Sequence, residues 1–334
     1  MIRERTEDEL MNVFLCEHLH RDAVVLLRSR AEIVADWGRL AECDGLISRN
    51  LKLPRETLER APRLKVIAVH GTGSDGIDLE WCAARNITVT YVPAQNADSV
   101  AELIVALALD LMRRVTAADR AVRSGRPVRS APPEFCGREL AGKTLGLIGV
   151  GDIARRAARI LREGFGMKVI GYSPSLTPEK AKMFHVEHRP SVIDVMRGAD
   201  VISLGVHLTG ETFHLIGAKE LAAARKGAVL INTSRGGVVD EEALYEALRV
   251  GRLAGAACDV WEHEPPTAGH RLLSLDNVIA TPHLGANTDE ALRRVGTAAV
   301  QALFDVCEGR KPRCVYSVEH PLGFENRDVL RDGS

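Results

Sequence analysis

The stretch LGLIGVGDIARRAARIL, residues 145–161, decides the fold class because two glycines join the pattern of a buried strand to that of an amphipathic helix. The strand part is continuously apolar, as expected for a strand covered by helices on both faces. In the helix part, apolar residues recur from Ala154 at the i, i+3, i+4, i+7 spacing of one helical face. The order of strand, Gly149-x-Gly151 turn and helix is typical of a phosphate-binding turn in a parallel α/β sheet.

Each small residue of this turn would have a physical role at a pyrophosphate. Gly149 would make the tight turn, Gly151 would let the backbone approach the ligand, and Ala154 is small enough for close contact between helix and strand. The first amides of the helix would face the phosphates, although Asp152 beside an anion is unfavourable. Without further support, the pattern also fits an ordinary strand-to-helix turn.

The next predicted strand is followed by Ser173, where a NAD-binding pattern usually has an acid that binds the ribose 2′-hydroxyl. Without a carboxylate at this position a 2′-phosphate is not repelled, so NADP becomes possible. No arginine closely follows Ser173 to bind that phosphate. The cofactor is therefore predicted to be NAD or NADP, with the choice open.

Length and composition indicate a globular protein of about two domains. The chain has 334 residues, of which 46% are hydrophobic and 27% charged, with a formal net charge of -1. This balance gives no basic field that would attract nucleic acid or an anionic membrane. The N-terminal residues lack the apolar core of a secretory signal, and the seven cysteines are scattered, which favours a reduced, cytoplasmic setting. His185 and His188 lack a third ligand, so no metal site is predicted.

Two series of short apolar runs alternate with helical patterns, which predicts parallel α/β sheets. The runs of the first series are 12–15, 45–48, 65–69 and 87–91, and those of the second are 144–149, 168–172, 200–204, 228–232, 255–260 and 277–282. A long apolar helix from Ser99 separates the two series, and Ser99 with Glu102 predicts a capping box at its start.

Polar side chains follow three strands of the second series. Arg235 follows the run 228–232, Glu264 lies in the loop after 255–260, and His283 follows 277–282. Because ligands of doubly wound sheets bind at the carboxyl ends of strands, we expect these side chains to converge. An arginine can hold a carboxylate and polarise an adjacent carbonyl, a histidine can give a proton to the developing alkoxide, and a carboxylate can fix the imidazole tautomer. The set fits carbonyl reduction.

Four ordered motifs, LGLIGVGDIA, LINTSRGGVVDEEALYEAL, GAACDVWEHEPP and TPHLGAN, closely resemble those of the D-isomer-specific 2-hydroxyacid dehydrogenases. That family includes phosphoglycerate dehydrogenase and the hydroxypyruvate and glyoxylate reductases. The resemblance implies an NAD(P)-dependent oxidoreductase that interconverts a small 2-keto acid and the D-2-hydroxy acid by hydride transfer at C2. It also implies that Arg235, Glu264 and His283 are the catalytic residues.

The resemblance further implies two Rossmann-like, doubly wound parallel-sheet domains with a cleft between them. A discontinuous, flavodoxin-like substrate domain is expected at 11–98 plus 295–326, and a dinucleotide-binding domain at 99–294. The ends, 1–10 and 327–334, are expected to be flexible. The family and the apolar helix at 99–115 also predict a homodimer.

Ligand-binding residues are assigned by the same resemblance. Those expected at the cofactor are Gly149, Gly151, Asp152, Ile153, Ser173, Val206, Thr233, Ser234, Asp259 and Gly285. Those expected at the substrate are Arg49, His70, Thr72 and Gly73, and a Gly-Thr-Gly turn after a strand can by itself form an anion-binding nest. For His70, a packed histidine is the equal alternative. Gly205 and His207 stand where the family usually has histidine and proline, and His207 is given no role.

Two other functions are weighed against this one. A nucleotide-sensing binding protein on the same fold, similar to the C-terminal-binding corepressors, would retain the same arginine, glutamate and histidine. Hydride transfer from formate or phosphite would need accessory residues that the sequence does not show. The predicted substrate is glyoxylate, hydroxypyruvate or a larger apolar keto acid.

Overall fold

Two parallel β-sheets organise the residues that the computed structural model describes, which are 10–125, 130 and 132–317. The chain divides into two compact units, whose described parts are 10–96 with 288–317 and, for the second unit, 97–125, 130 and 132–287. The predicted α/β class with two parallel-sheet domains is confirmed. The ends expected to be flexible lie outside the described residues, apart from Leu10.

In its described part the first unit has five strands, β1 Met11–Leu15, β2 Ala31–Val34, β3 Gly45–Ser48, β4 Val66–Val69 and β5 Thr88–Thr90. They pair in parallel in the order β2-β1-β3-β4-β5. Its first helices are α1 Arg21–Arg28, α2 Arg55–Leu58 and α3 Leu79–Ala84. Four strands match the predicted runs. Sequence analysis missed β2, because this edge strand buries only two of its four residues and has no continuous apolar run.

The described residues of the second unit form seven parallel strands, β6 Thr144–Ile148, β7 Lys168–Tyr172, β8 Glu187–His188, β9 Val201–Leu204, β10 Ala228–Asn232, β11 Leu253–Cys258 and β12 Val278–Ala280. Its helices are α4 Ala97–Arg113, α5 Val115–Arg123, α6 Asp152–Phe165, α7 Pro178–Met183, α8 Val192–Gly198, α9 Ala218–Ala223 and α10 Glu241–Arg249. The strand order is β12-β11-β10-β9-β6-β7-β8.

The order in which the chain adds strands to this sheet reverses at β6. Strands β7 and β8 continue on one side of β6, and β9 to β12 continue on the other. In doubly wound sheets a ligand binds outside the carboxyl ends of the strands at this switch point. The chain leaves β6 at Gly149 and β9 at Gly205, so these glycines mark the expected binding edge.

The last helix, α11 Asp289–Cys307, belongs to the first unit and packs beside α1. Its contact surface includes Gly296, where an added Cβ would lie only 2.9 Å from the Ala23 Cβ of α1 and 3.2 Å from Leu19 Cδ1. The absence of a side chain therefore lets the two helices approach closely. Neither α11 nor any other helix in the described ranges is both long and apolar enough to cross a membrane.

The capping box predicted at Ser99 is wrong. Helix α4 begins at Ala97, so Ser99 lies inside its first turns, and the buried Ser99 hydroxyl donates to the Gly285 carbonyl at 2.7 Å. A serine that bonds a distant carbonyl is not available to cap its own helix.

The predicted domain boundaries after 98 and 294 fall inside α4 and α11, whereas the units meet at 96/97 and 287/288.

Replacing Gly296 by alanine should lower the free energy of unfolding by about 1–3 kcal/mol, because the added methyl group overpacks the contact between α1 and α11. Urea denaturation followed by circular dichroism would measure the change. Gly164→Ala is the matched control, since Gly164 is exposed on α6 and an added Cβ there meets no described atom within 4 Å. That control should be neutral or stabilising, and a Gly296 variant no less stable than the control would contradict the packing argument.

Candidate active site

Gly149 occupies a position that only glycine fits. Its φ is +91°, in the region that side chains avoid, and an added Cβ would lie 2.3 Å from the Gly205 carbonyl oxygen and 3.0 Å from Val206 Cγ1. The turns after β6 and β9 are therefore in backbone contact at the switch point. The predicted role of Gly149 in a tight turn agrees with this geometry.

Gly151 precedes the first residue of α6, and its position leaves open space at the helix N-terminus. No side chain caps this end of the helix, and no described atom lies within 4 Å of an added Cβ. The first amides of a 14-residue helix are thus available to an anion. The carboxylate of Asp152 pairs with Arg155, so its charge is balanced. The turn consequently fits a dinucleotide pyrophosphate.

The turn after β7 carries hydroxyl groups and a lysine in place of an acid. Ser173 Oγ and Ser175 Oγ lie 3.2 Å apart, and Lys180 Nζ of α7 donates to the Ser175 carbonyl at 3.3 Å. No carboxylate of the described residues pairs with Lys180. Sequence analysis considered only arginine at this edge and missed Lys180, whose signal is its position one turn into the helix after the serines.

Arg235 is placed by the backbone after β10. The buried Asn232 side chain donates to the Arg235 carbonyl at 3.0 Å and accepts from the Ser234 amide at 3.1 Å and its hydroxyl at 2.8 Å. At Gly236 an added Cβ would lie 1.8 Å from the Trp261 carbonyl carbon. This close approach brings the Arg235 turn against the loop that contains Glu264. Thr233, beside Ser234, is half-buried.

Asp259 fixes the loop that carries His283. Its carboxylate is buried and accepts hydrogen bonds from the Thr281 hydroxyl at 2.6 Å, the Leu284 amide at 2.7 Å and the Gly285 amide at 2.8 Å. Its carbonyl accepts from the His283 amide at 2.8 Å, and His283 has a left-handed φ of +56°. The loop conformation therefore depends on a carboxylate whose two oxygens are both bound by protein donors.

His283 and Glu264 form a direct pair. Nδ1 of His283 lies 2.9 Å from Glu264 Oε2, and the other carboxylate oxygen accepts from the Trp261 amide at 3.1 Å. Partial burial disfavours the charged form of Glu264, but the hydrogen bonds from His283 and Trp261 and the nearby charge of Arg235 outweigh it and hold the pKa of this carboxyl below its ordinary value. The pair leaves Nε2 of His283 to exchange a proton with a ligand.

The four residues predicted at the substrate all lie in the first unit, after the adjacent strands β3 and β4. Arg49 is half-buried, and the carbonyl of half-buried Thr72 accepts from the Tyr316 hydroxyl at 2.7 Å. His70 is buried against Gly296 of α11, and neither ring nitrogen has a hydrogen-bond partner among the described residues. The packed alternative for His70 fits this position, and a contact with substrate stays a prediction.

Comparison with known proteins gives the family. The model of the "D-isomer specific 2-hydroxyacid dehydrogenase, NAD binding domain" family matches residues 105–285. The chain is 40% identical over 297 residues to the glyoxylate reductase of Thermococcus litoralis, covering 87% of this chain and 86% of that protein. The chain belongs to the D-isomer specific 2-hydroxyacid dehydrogenases. The predicted family, and with it the class of nicotinamide-dependent 2-hydroxyacid dehydrogenase, is confirmed.

Two further proteins are similar to this chain. The D-3-phosphoglycerate dehydrogenase of Methanocaldococcus jannaschii is 38% identical over 309 residues, which is 90% of this chain but only 58% of that relative's length. A NADPH-dependent glyoxylate/hydroxypyruvate reductase from Sinorhizobium meliloti, crystallised with NADP and malonate, is 28% identical with a TM-score of 0.82, covering 94% of this chain and 99% of that one. All three named proteins are dehydrogenases or reductases, so the corepressor-like alternative gains no support.

Replacing Glu264 by glutamine should shift the pH dependence of keto-acid reduction. The lowered pKa keeps the Glu264 carboxylate charged at neutral pH. Its pairing with His283 is lost only when the pH falls through this lowered pKa. Glutamine does not titrate in this range, so the acid-side decline of kcat/KM that follows protonation of Glu264 should be lost in the variant.

The control for this profile is Glu262→Gln. Glu262 lies 2.8 Å from His214 in a separate pair of the same kind, and its removal should leave the decline in place. A decline at the same pH in the Glu264 variant and the wild type would contradict the assigned pairing.

Proposed function

We propose that this dehydrogenase reduces a small 2-keto acid to the D-2-hydroxy acid with a nicotinamide dinucleotide, and catalyses the reverse oxidation. The observation that carries the proposal is the His283–Glu264 pair, held with the Arg235 turn and the open glycine turn in one unit. All of these groups follow the carboxyl ends of strands in one parallel sheet. The names of the relatives favour glyoxylate or hydroxypyruvate as the keto acid.

The residues of the chain divide the chemistry between them. When bound, the nicotinamide would supply the hydride that C2 accepts. Nε2 of His283 gives its proton to the carbonyl oxygen, which becomes the hydroxyl, and the imidazole stays oriented through Nδ1 by Glu264. The guanidinium of Arg235 binds the substrate carboxylate and polarises the adjacent carbonyl. In the oxidation direction, His283 takes the proton back.

The predicted cofactor residues have separate tasks in this proposal. Gly149 and Gly151 keep the turn small and open for the pyrophosphate, while Val206 and Ile153 are half-buried beside that turn. Thr233, Ser234, Asp259 and Gly285 belong to the hydrogen-bonded loops that hold Arg235 and His283.

A homodimer and a cytoplasmic location stay predictions. The exposed Val115 and Val122 on α5 give some apolar surface for association.

Replacing His283 by alanine should lower kcat/KM for keto-acid reduction by roughly 10²- to 10⁴-fold, because the reaction loses its proton donor. Steady-state assays with glyoxylate and hydroxypyruvate would measure the loss. His214→Ala is the matched control, since this histidine also pairs with a glutamate at 2.8 Å but lies on a different loop. Undiminished turnover in the His283 variant, with the control also active, would contradict the proposed role.

We also propose that the turn after β7 accepts the 2′-phosphate of NADPH, because it offers two hydroxyls and the Lys180 ammonium and has a serine in place of an acid directly after the strand. Ser173→Asp should therefore reduce the ratio of kcat/KM with NADPH to that with NADH by roughly tenfold or more, through repulsion of the phosphate. Lys180→Gln should weaken only the NADPH reaction, and Lys182→Gln on the same helix is its control. Equal NADPH-to-NADH ratios in Ser173→Asp and the wild type would contradict the proposal.

A further inference from the structure

Glu17 lies at the same sheet edge as the predicted substrate residues of the first unit. It is the second residue after β1, and β1 pairs directly with β3, whose carboxyl end leads into Arg49. Sequence analysis gave Glu17 no role. Its side chain is half-buried, although it is an acid.

The Glu17 carboxylate binds the whole turn after β3. It accepts hydrogen bonds from the amides of Arg49 at 2.6 Å, Asn50 at 3.0 Å and Leu51 at 3.3 Å, and from the Ser48 hydroxyl at 3.4 Å. Consecutive amides that point at one anion form a nest, and here the anion is a side chain of the protein itself. Hydrogen bonds to an ionised acceptor are stronger than neutral ones, so the conformation of the turn depends on this carboxylate.

Glu17 also acts electrostatically on the cation of this turn. Burial lowers the pKa of Arg49, and the negative charge of Glu17 opposes that shift. Burial also lowers the pKa of the neighbouring His70. The positive charge of Arg49 lowers this pKa further, and the negative charge of Glu17 opposes the shift. Glu17 therefore both fixes the backbone of Arg49 and supports its charge.

We propose that Glu17 is a positioning residue for substrate binding, which holds the 48–51 turn so that Arg49 meets the keto acid in a fixed orientation. This role rests on the proposed function and on the predicted contact of Arg49 with substrate. Glu17 itself takes no part in the proton or hydride transfer, whose groups belong to the second unit. Its loss should therefore weaken substrate binding while the chemical step keeps its rate.

Glutamine is the informative replacement at position 17. Glutamine keeps one oxygen, which can take the place of Oε2, but it removes the negative charge, so the hydrogen bonds from the amides of Arg49, Asn50 and Leu51 become neutral and weaker. We expect Glu17→Gln to raise KM for the keto acid roughly tenfold, with kcat and the KM of the nicotinamide nucleotide each within about twofold of the wild type. Glu56→Gln is the control, because Glu56 is exposed in the first turn of α2 and should leave every constant in place.

A double-mutant cycle with Arg49→Gln tests whether Glu17 acts through Arg49. If it does, Glu17→Gln should raise KM by no more than about twofold in the Arg49→Gln background, because the oriented side chain is already gone. A second variant, Glu17→Asp, keeps the charge and shortens the reach by one methylene. Glu17→Asp should also raise KM for the keto acid, but by less than Glu17→Gln. If Glu17→Gln shows no cooperative unfolding and is therefore not folded, Glu17→Asp replaces it in the cycle.

The possible results separate the two proposals. Additive effects of the two substitutions, or an active variant at position 17 in which kcat falls as much as KM rises, would overturn the role of Glu17 alone. A wild type that reduces none of glyoxylate, hydroxypyruvate and pyruvate would overturn the proposed function, and the role of Glu17 with it. A selective rise in KM that disappears in the Arg49→Gln background supports both.

Discussion

The buried carboxylate of Asp259 is the constraint on which the candidate site depends. The carboxylate accepts from the Thr281 hydroxyl and the amides of Leu284 and Gly285. The backbone carbonyl of Asp259 accepts from the His283 amide, and the backbone amide of Asp259 donates to the Asn232 carbonyl at 2.9 Å. One residue thus joins the ends of β10, β11 and β12. Because a buried charge is stable only when its oxygens are fully bound by donors, these loops have little freedom to rearrange.

Close backbone contacts complete the same arrangement. Gly236 has no room for a side chain beside Trp261, and Gly149 has none beside Gly205. The first contact brings the Arg235 turn to the loop with Glu264, and the second forms the switch point beside β6. Each unit also uses a carboxylate to hold a loop at the carboxyl edge of its sheet, Asp259 in the second unit and Glu17 in the first. The parallel strands alone place these residues at the carboxyl edge of each sheet. The close glycine contacts and the two carboxylates then determine the conformations of the loops.

Much of this organisation could be predicted from the sequence because it follows from local patterns. Continuous apolar runs marked most strands, and the glycine turn marked the start of α6. The pairing of Glu264 with His283 was also predicted, since both residues follow neighbouring strands. The structure gives their atoms and a separation of 2.9 Å.

The rest depends on contacts between residues far apart in the chain. Ser99 looked like a helix cap, but its hydroxyl bonds the carbonyl of Gly285, 186 positions away. Glu17 gives no local signal because its partners lie 31 to 34 positions further on. Edge strand β2 buries only its first and last residues and has no apolar run. In each case the deciding partner belongs to another element, which neither periodicity nor a short motif can identify.

The stereochemistry of the product is a direct test of D-specific hydride transfer to C2. Hydroxypyruvate would be incubated with the wild-type protein and NADPH or NADH, and the glycerate formed would be separated on a chiral column. The proposed reaction gives D-glycerate in amounts equal to the nucleotide oxidised, since one hydride is added at C2 and one proton at its oxygen. L-Glycerate, or no glycerate from an intact protein that also leaves glyoxylate unreduced, would contradict it.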